Sequence, residues 1–215
     1  MTSHLGAGLA MDAFVIAFKL PNFFRRLFAE GAFSVGFVPL FSRALGQDIT
    51  PESQAAAEAF AGRVLSWLLP VLLIFLIVME IGMVPMMLGL TGGFEGDQVK
   101  FDFVVELGRY TFPYLVLISL VSFYGGMLNA YGRFSAAAFA PVLLNVTMII
   151  ALLLFGESDI RAARALAIAV SAAGVLQLLL LYVAVRRAGI RLKLPWPRLS
   201  PDVKELLIII APAAV

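Results

Sequence analysis

Five ionisable side chains, Asp12, Lys19, Arg25, Arg26 and Glu30, stand within an otherwise apolar run, DAFVIAFKLPNFFRRLFAEGAFSVGFVPLF, at residues 12–41. Near the centre of a hydrocarbon layer each unpaired charge costs at least ~2.5–3.5 kcal/mol. Such groups need a wet cavity, a partner or a ligand. On a straight helix at ~100° per residue, Asp12, Lys19, Arg26 and Glu30 fall near one stripe that can line a cavity, while Arg25 points away from it. Pro21 can rotate whatever follows it, so this phase does not decide which arginine faces inward. Two readings of the arginines stand side by side. In one they snorkel to the cytoplasmic headgroups as topology anchors. In the other they face a cavity, because a second apolar run follows Glu30 before Arg43 and sets the pair inside the span. The cavity reading implies an anionic ligand, since guanidinium is a planar, permanently charged fork suited to phosphate oxygens. A lipid diphosphate, its tail left in the bilayer, fits that chemistry.

Other chemistries find little support. The chain has no cysteine and one histidine, His4, near its start, so neither a metal site nor a cofactor is expected. No G-x-x-x-x-G-K-[ST] loop occurs, and no nucleophile, base and orienting residue can be assembled, so an enzyme is not expected. A nucleic-acid partner is not expected either.

The elements that must hold the charges follow from composition. Of 215 residues, 61% are hydrophobic and 14% charged, with a mean hydropathy of +0.97, whereas a soluble chain is about half apolar and about a quarter charged. The expected fold is all-α, a polytopic helical membrane protein in a single transmembrane domain over residues 1–215. Taken straight, residues 12–41 would reach ~45 Å against a hydrocarbon layer of ~30 Å. That span must tilt, kink or run along the interface, with Pro21, Gly31 and Pro39 as hinge points. Further spans are expected at 64–84, 111–130, 136–155 and 165–185, with the start of another at 205–215. Thr50 before Pro51 reads as a helix start, and residues 90–109 read as a polar, acidic-leaning connection. Ser119, Ser122, Gly125 and Gly126 are small positions that allow close helix packing, and Asn145 is expected to hydrogen-bond a neighbouring helix. Glu80 reads as a rim residue rather than a pathway carboxylate.

Arg186, Arg187, Arg191, Lys193, Arg198 and Lys204 cluster after the fifth apolar run and place that loop in the cytoplasm by the positive-inside rule. Counting back puts residues 46–63 and 131–134 on the same side, and residues 90–109 and 156–164 outside. The first span then enters from outside with none before it. The last apolar run has about half of the ~20 residues a crossing needs. Truncation at both ends is the expectation.

Two ordered stretches resemble a known family. GLAMDAFVIAFKLPNFFRRLFAEGAFSVGFVP, residues 8–39, closely resembles the signature region of the MurJ/MviN family of lipid II flippases, and FPYLVLISLVSFYGGMLNAYGRFSAAAFAPVLLN, residues 112–145, is similar to that family's fourth and fifth helices. The resemblance continues, less specifically, over nearly the whole chain. It implies a partial first lobe of a two-lobe flippase fold of the multidrug/oligosaccharidyl-lipid/polysaccharide superfamily, in the bacterial inner membrane. Alternating access would carry lipid II, the undecaprenyl-diphosphate-linked peptidoglycan precursor, from the cytoplasmic to the periplasmic leaflet. Arg25 matches a cavity arginine of the family's second helix, and Asp12, Lys19, Arg26 and Glu30 match the charged motif around it, so all five are implied substrate contacts. Implied partners are lipid II, membrane lipids and other cell-wall synthesis proteins. The family's first helix and everything beyond the start of its seventh have no counterpart here, so these residues alone are not expected to flip lipid. Alternatives kept open are a flippase for another polyprenyl-linked glycan, a drug exporter of the same superfamily, or a non-transporting scaffold for cell-wall enzymes.

Overall fold

The computed structural model describes residues 7–25, 32–91 and 97–213, and every regular element among them is an α-helix. In chain order these are α1 (Ala7–Arg25), α2 (Ala32–Leu45), α3 (Pro51–Ile81), α4 (Met83–Thr91), α5 (Gln98–Thr111), α6 (Tyr114–Ala130), α7 (Ser135–Phe155), α8 (Asp159–Arg187) and α9 (Pro201–Ala213). Four helical stretches are long and apolar enough to cross a bilayer: 51–81, 98–130, 135–155 and 159–187. Gly31, Arg26 and Glu30 lie outside the described residues.

Helix α3 begins where the Thr50–Pro51 pair predicts. The Thr50 hydroxyl accepts from Ser53 N at 3.2 Å, and Ser53 Oγ accepts from Thr50 N at 3.0 Å, so two donors orphaned at the helix start are satisfied reciprocally. The expected connection over 90–109 is corrected. Residues 98–111 form α5, capped by Asp97, whose carboxylate accepts from Lys100 N at 3.0 Å. The physical reason is periodicity: Asp102 and Arg109 lie exposed on one side, while Phe101, Val104, Val105 and Leu107 are buried. Counting charges hides this face.

Pro21 and Pro39 lie inside α1 and α2. A proline in a helix leaves the carbonyl four residues back without its donor. For Pro21 that carbonyl is Ala17 O, and the buried Thr111 hydroxyl of α5 shares its hydrogen between Ala17 O at 3.3 Å and Gly108 O at 3.1 Å. Thr111 thus lets α1 continue through Pro21 while pinning it to α5. Thr111→Val keeps the shape and removes the donor. It should cost about 1–3 kcal/mol, read as a lowered unfolding temperature in detergent with α1 exchanging amide hydrogens faster than α6.

Helix α8 is the central post, packed against α7, α6, α1 and α5. It approaches α6 at Gly174, where a Cβ would lie 2.9 Å from both Leu117 Cδ1 and Tyr114 Cδ2. Phe37 of α2 joins three elements through rings, stacked on Phe60 of α3 at 5.8 Å and tilted against Phe123 of α6 at 4.9 Å. By contrast α7 buries only Ala140 and Ala151 and leaves Ile149, Leu153 and Leu154 exposed, a surface suited to lipid. Helices α6 and α8 end alike. Gly132 and Gly189 adopt φ of 70° and 83°, and the following amides reach back to Leu128 O and Val185 O, the paired bonds of a Schellman cap.

Beyond Gly189 a strap, residues 190–200, leads to α9. Two ion pairs tie α9 down: Arg43 to Glu205 at 2.9 Å, and Arg63 to Asp202. Burial raises the Asp202 carboxyl, but hydrogen bonds from Arg63 and from its own backbone N–H, with the Arg63 charge, outweigh it and hold the group below its ordinary 3.8. A depressed carboxylate contributes its stability above its unfolded value and loses it as pH falls through the folded one. Proteolysis of residues 190–213 should therefore be flat at neutral pH and rise only below about pH 4. In Asp202→Asn it should already be raised at pH 7.

Candidate functional site

Three helices, with one side chain from each of two others, line an open cavity of about 640 Å³. Each helix contributes one face. Phe18, Asn22 and Arg25 of α1 follow the i, i+4, i+7 spacing, and Ile118, Ser122, Gly125 and Asn129 extend that spacing along α6. Ala137, Pro141 and Asn145 line it from α7, Gln177 from α8 and Val38 from α2. The room comes from small residues. Gly125 and Gly126 carry no side chain into it, and a Cβ on Gly126 would sit 3.0 Å from Val38 Cγ2, so these positions both close the α2–α6 packing and hollow the wall.

Arg25 is half-buried, and its Nε donates to Asn22 Oδ1 at 2.9 Å, one turn earlier on the same face. That bond orients the guanidinium plane. Gln177 is 1% exposed; its Nε2 donates to Ala140 O of α7 at 2.7 Å, and its Oε1 is buried without a hydrogen-bond partner. The amide cannot turn over, because the opposite orientation would set two oxygens against each other.

The predicted residues separate. Arg25 lines the cavity; Asp12 and Lys19 are exposed and lie outside its lining. Since α1 runs unbroken through Pro21, the straight-helix phase holds, and a face about 100° around the helix from the Asp12–Lys19 stripe is the one that turns to the cavity. Asn145, expected to bond a neighbouring helix, is exposed on the cavity wall, and the interhelical amide bond is made by Gln177. Sequence reasoning passed over Asn22, Asn129 and Gln177. For Gln177 the signal was present, an amide in the apolar run VLQLLLLYVAV. Glu80 sits one residue from the end of α3, outside this lining, with Oε1 buried and without a hydrogen-bond partner.

Fold and cavity together define a class: a polytopic helical membrane protein whose bundle holds a cationic, amide-lined chamber open to a polar ligand. A family model described as lipid II flippase MurJ matches residues 1–215, and the chain belongs to that family. It is 44% identical over 220 residues to a probable lipid II flippase MurJ of Rhizobium tropici, covering 100% of this chain and 40% of the relative. It is 41% identical over 174 residues to a lipid II flippase MurJ of Burkholderia cenocepacia, covering 81% of this chain and 33% of the relative. A solved structure described as lipid II flippase MurJ in an inward closed conformation shares the fold, with a TM-score of 0.67, 21% identity, and coverage of 96% of this chain and 41% of that one. The chain spans about 40% of the length of the Rhizobium relative.

Proposed function

We propose that these residues form part of a flippase for the undecaprenyl-diphosphate-linked peptidoglycan precursor, lipid II, in a bacterial inner membrane. The observation that carries the reading is Arg25: a guanidinium, oriented by Asn22, at a cavity of about 640 Å³ inside a helical bundle. A permanent cation, half-buried on the wall, attracts a diphosphate and presents N–H donors that two of its oxygens can accept from. The apolar outer face of α7 leaves a route for the lipid tail beside the bundle. Function on this reading is noncovalent: the headgroup engages the cation from one side, the helices rearrange around it, and the site opens to the other side. Asp12, Lys19, Arg26 and Glu30 enter as contacts of lower weight, supported by the motif alone.

Growth of a flippase-depleted strain on expression of a full-length flippase that contains these residues tests the reading in cells, and residues 1–215 alone are not expected to restore it. In detergent, unlabelled lipid II should displace fluorescent lipid II at least about tenfold better than a polyprenyl-linked glycan of another composition or a cationic drug, as a site with buried polar groups allows. Equal competition by all three would point instead to a broad exporter of the same superfamily.

A further inference from the structure

The cavity wall is chemically divided in a way that a diphosphate alone does not explain. Among the described residues Arg25 is the one charged group in the lining. The remaining polar side chains are Asn22, Ser122, Asn129, Asn145 and Gln177 together with the Tyr114 phenol. Asn22 is committed to Arg25. Asn129 and Asn145 are exposed on the wall, one from α6 and one from α7. Gln177 is the informative member, because its Nε2 is fixed by Ala140 O while its Oε1 has no partner although it is buried. A buried acceptor left unmatched costs free energy, and a native chain keeps such groups rare. Neutral amides offer a donor and an acceptor without charge; the acceptor oxygen matches the hydrogens of hydroxyl and amide groups, whereas an ionised phosphate has no hydrogen to give it.

Resting on the flippase reading above, we propose that Asn129, Asn145 and Gln177 form a neutral subsite beside Arg25 that hydrogen-bonds the hydroxyl or amide groups of the cargo's glycan or peptide, with Gln177 Oε1 the acceptor completed on binding. Arg25 then secures the phosphate common to every polyprenyl diphosphate, and the amides distinguish the group attached to it. Discrimination of this kind comes from wall groups that are matched by the right cargo and stranded by the wrong one.

The test compares three lipids on the purified protein in nanodiscs: undecaprenyl diphosphate, the same lipid carrying only N-acetylglucosamine, and lipid II. Gln177→Met removes acceptor and donor with little change of volume, and Asn145→Leu alters an exposed position that the fold does not need. Each should weaken lipid II binding about tenfold while undecaprenyl diphosphate stays within about twofold of the parent. Loss that extends to the sugar-only lipid assigns the subsite to the sugar; loss confined to lipid II assigns it to the peptide or second sugar; both support it. Equal weakening of all three lipids, or unchanged binding of all three by both variants, overturns the subsite. A parent protein that binds none of the three rejects the flippase reading itself. If Gln177→Met fails to fold, as judged by its melting curve, Asn145→Leu decides on the same outcomes.

Discussion

Arg25→Ala is expected to reduce lipid II binding by about tenfold to about a hundredfold and, in a full-length flippase that contains these residues, to abolish growth support in a flippase-depleted strain. A charge-assisted hydrogen bond contributes about 1.5–3 kcal/mol, and a half-buried guanidinium facing a diphosphate can make more than one. Arg25→Lys keeps the charge and loses the planar fork, so an intermediate loss is expected. Asn22→Leu leaves the cation in place but removes the acceptor that holds Nε at 2.9 Å; its effect should be smaller than that of Arg25→Lys. Lys19→Met provides the comparison, since Lys19 is exposed and outside the cavity lining. If Lys19→Met abolished binding and Arg25→Ala did not, the binding face would be the Asp12–Lys19 stripe and the cavity assignment would fall.

The separation of these two faces shows what was legible in the sequence and what was not. The apolar runs announce crossing helices, because a bilayer demands ~20 apolar residues per crossing; Thr50 and Pro51 announce the start of α3 through local hydrogen bonding. Both depend on neighbours in the chain. The α5 helix was hidden because its signal is a period, with Phe101, Val104, Val105 and Leu107 turned inward, whereas its charges dominate a residue count. Arg25 was legible as a charge in an apolar setting, but its direction was not. The wheel sets it apart from Asp12 and Lys19, and only α6, α7 and α8 closing on the other side make that face the cavity. Gln177 is the same case in miniature. Its type and apolar surroundings stand in the sequence, while the reason its oxygen lacks a partner is the position of Ala140 on another helix.

Gly62→Ala is expected to release the strap from α3, although alanine is the better helix former by about 1 kcal/mol. A Cβ at Gly62 would lie 2.2 Å from Lys193 O, 3.3 Å from Lys193 C and 3.6 Å from Pro195 Cδ. The nearest of these atoms is backbone, which cannot swing aside as the tip of a side chain does. The strap would have to retreat by roughly 1 Å or more before the contact became tolerable, and overpacking of this kind costs about 1–3 kcal/mol. The clash therefore exceeds the helix gain. Neither ion pair can hold the strap against it: Arg63 and Asp202 are 35% and 34% exposed, Arg43 and Glu205 68% and 47%, and exposed pairs contribute about 0–1 kcal/mol each. Because Arg63 is the next residue, its pairing with Asp202 goes with the strap, and α9 loses its anchor to α3. The expected result is cleavage by a limiting protease within residues 190–200 and faster amide exchange in α9, with α6 and α8 unchanged. Gly89→Ala supplies the contrast, since nothing lies within 4 Å of a Cβ there, and it should leave stability unchanged or raise it by up to about 1 kcal/mol. If Gly62→Ala behaved like Gly89→Ala, the strap would not be seated on α3, and α9 would be held to the bundle by its contacts with α2 and by the Arg63–Asp202 pair.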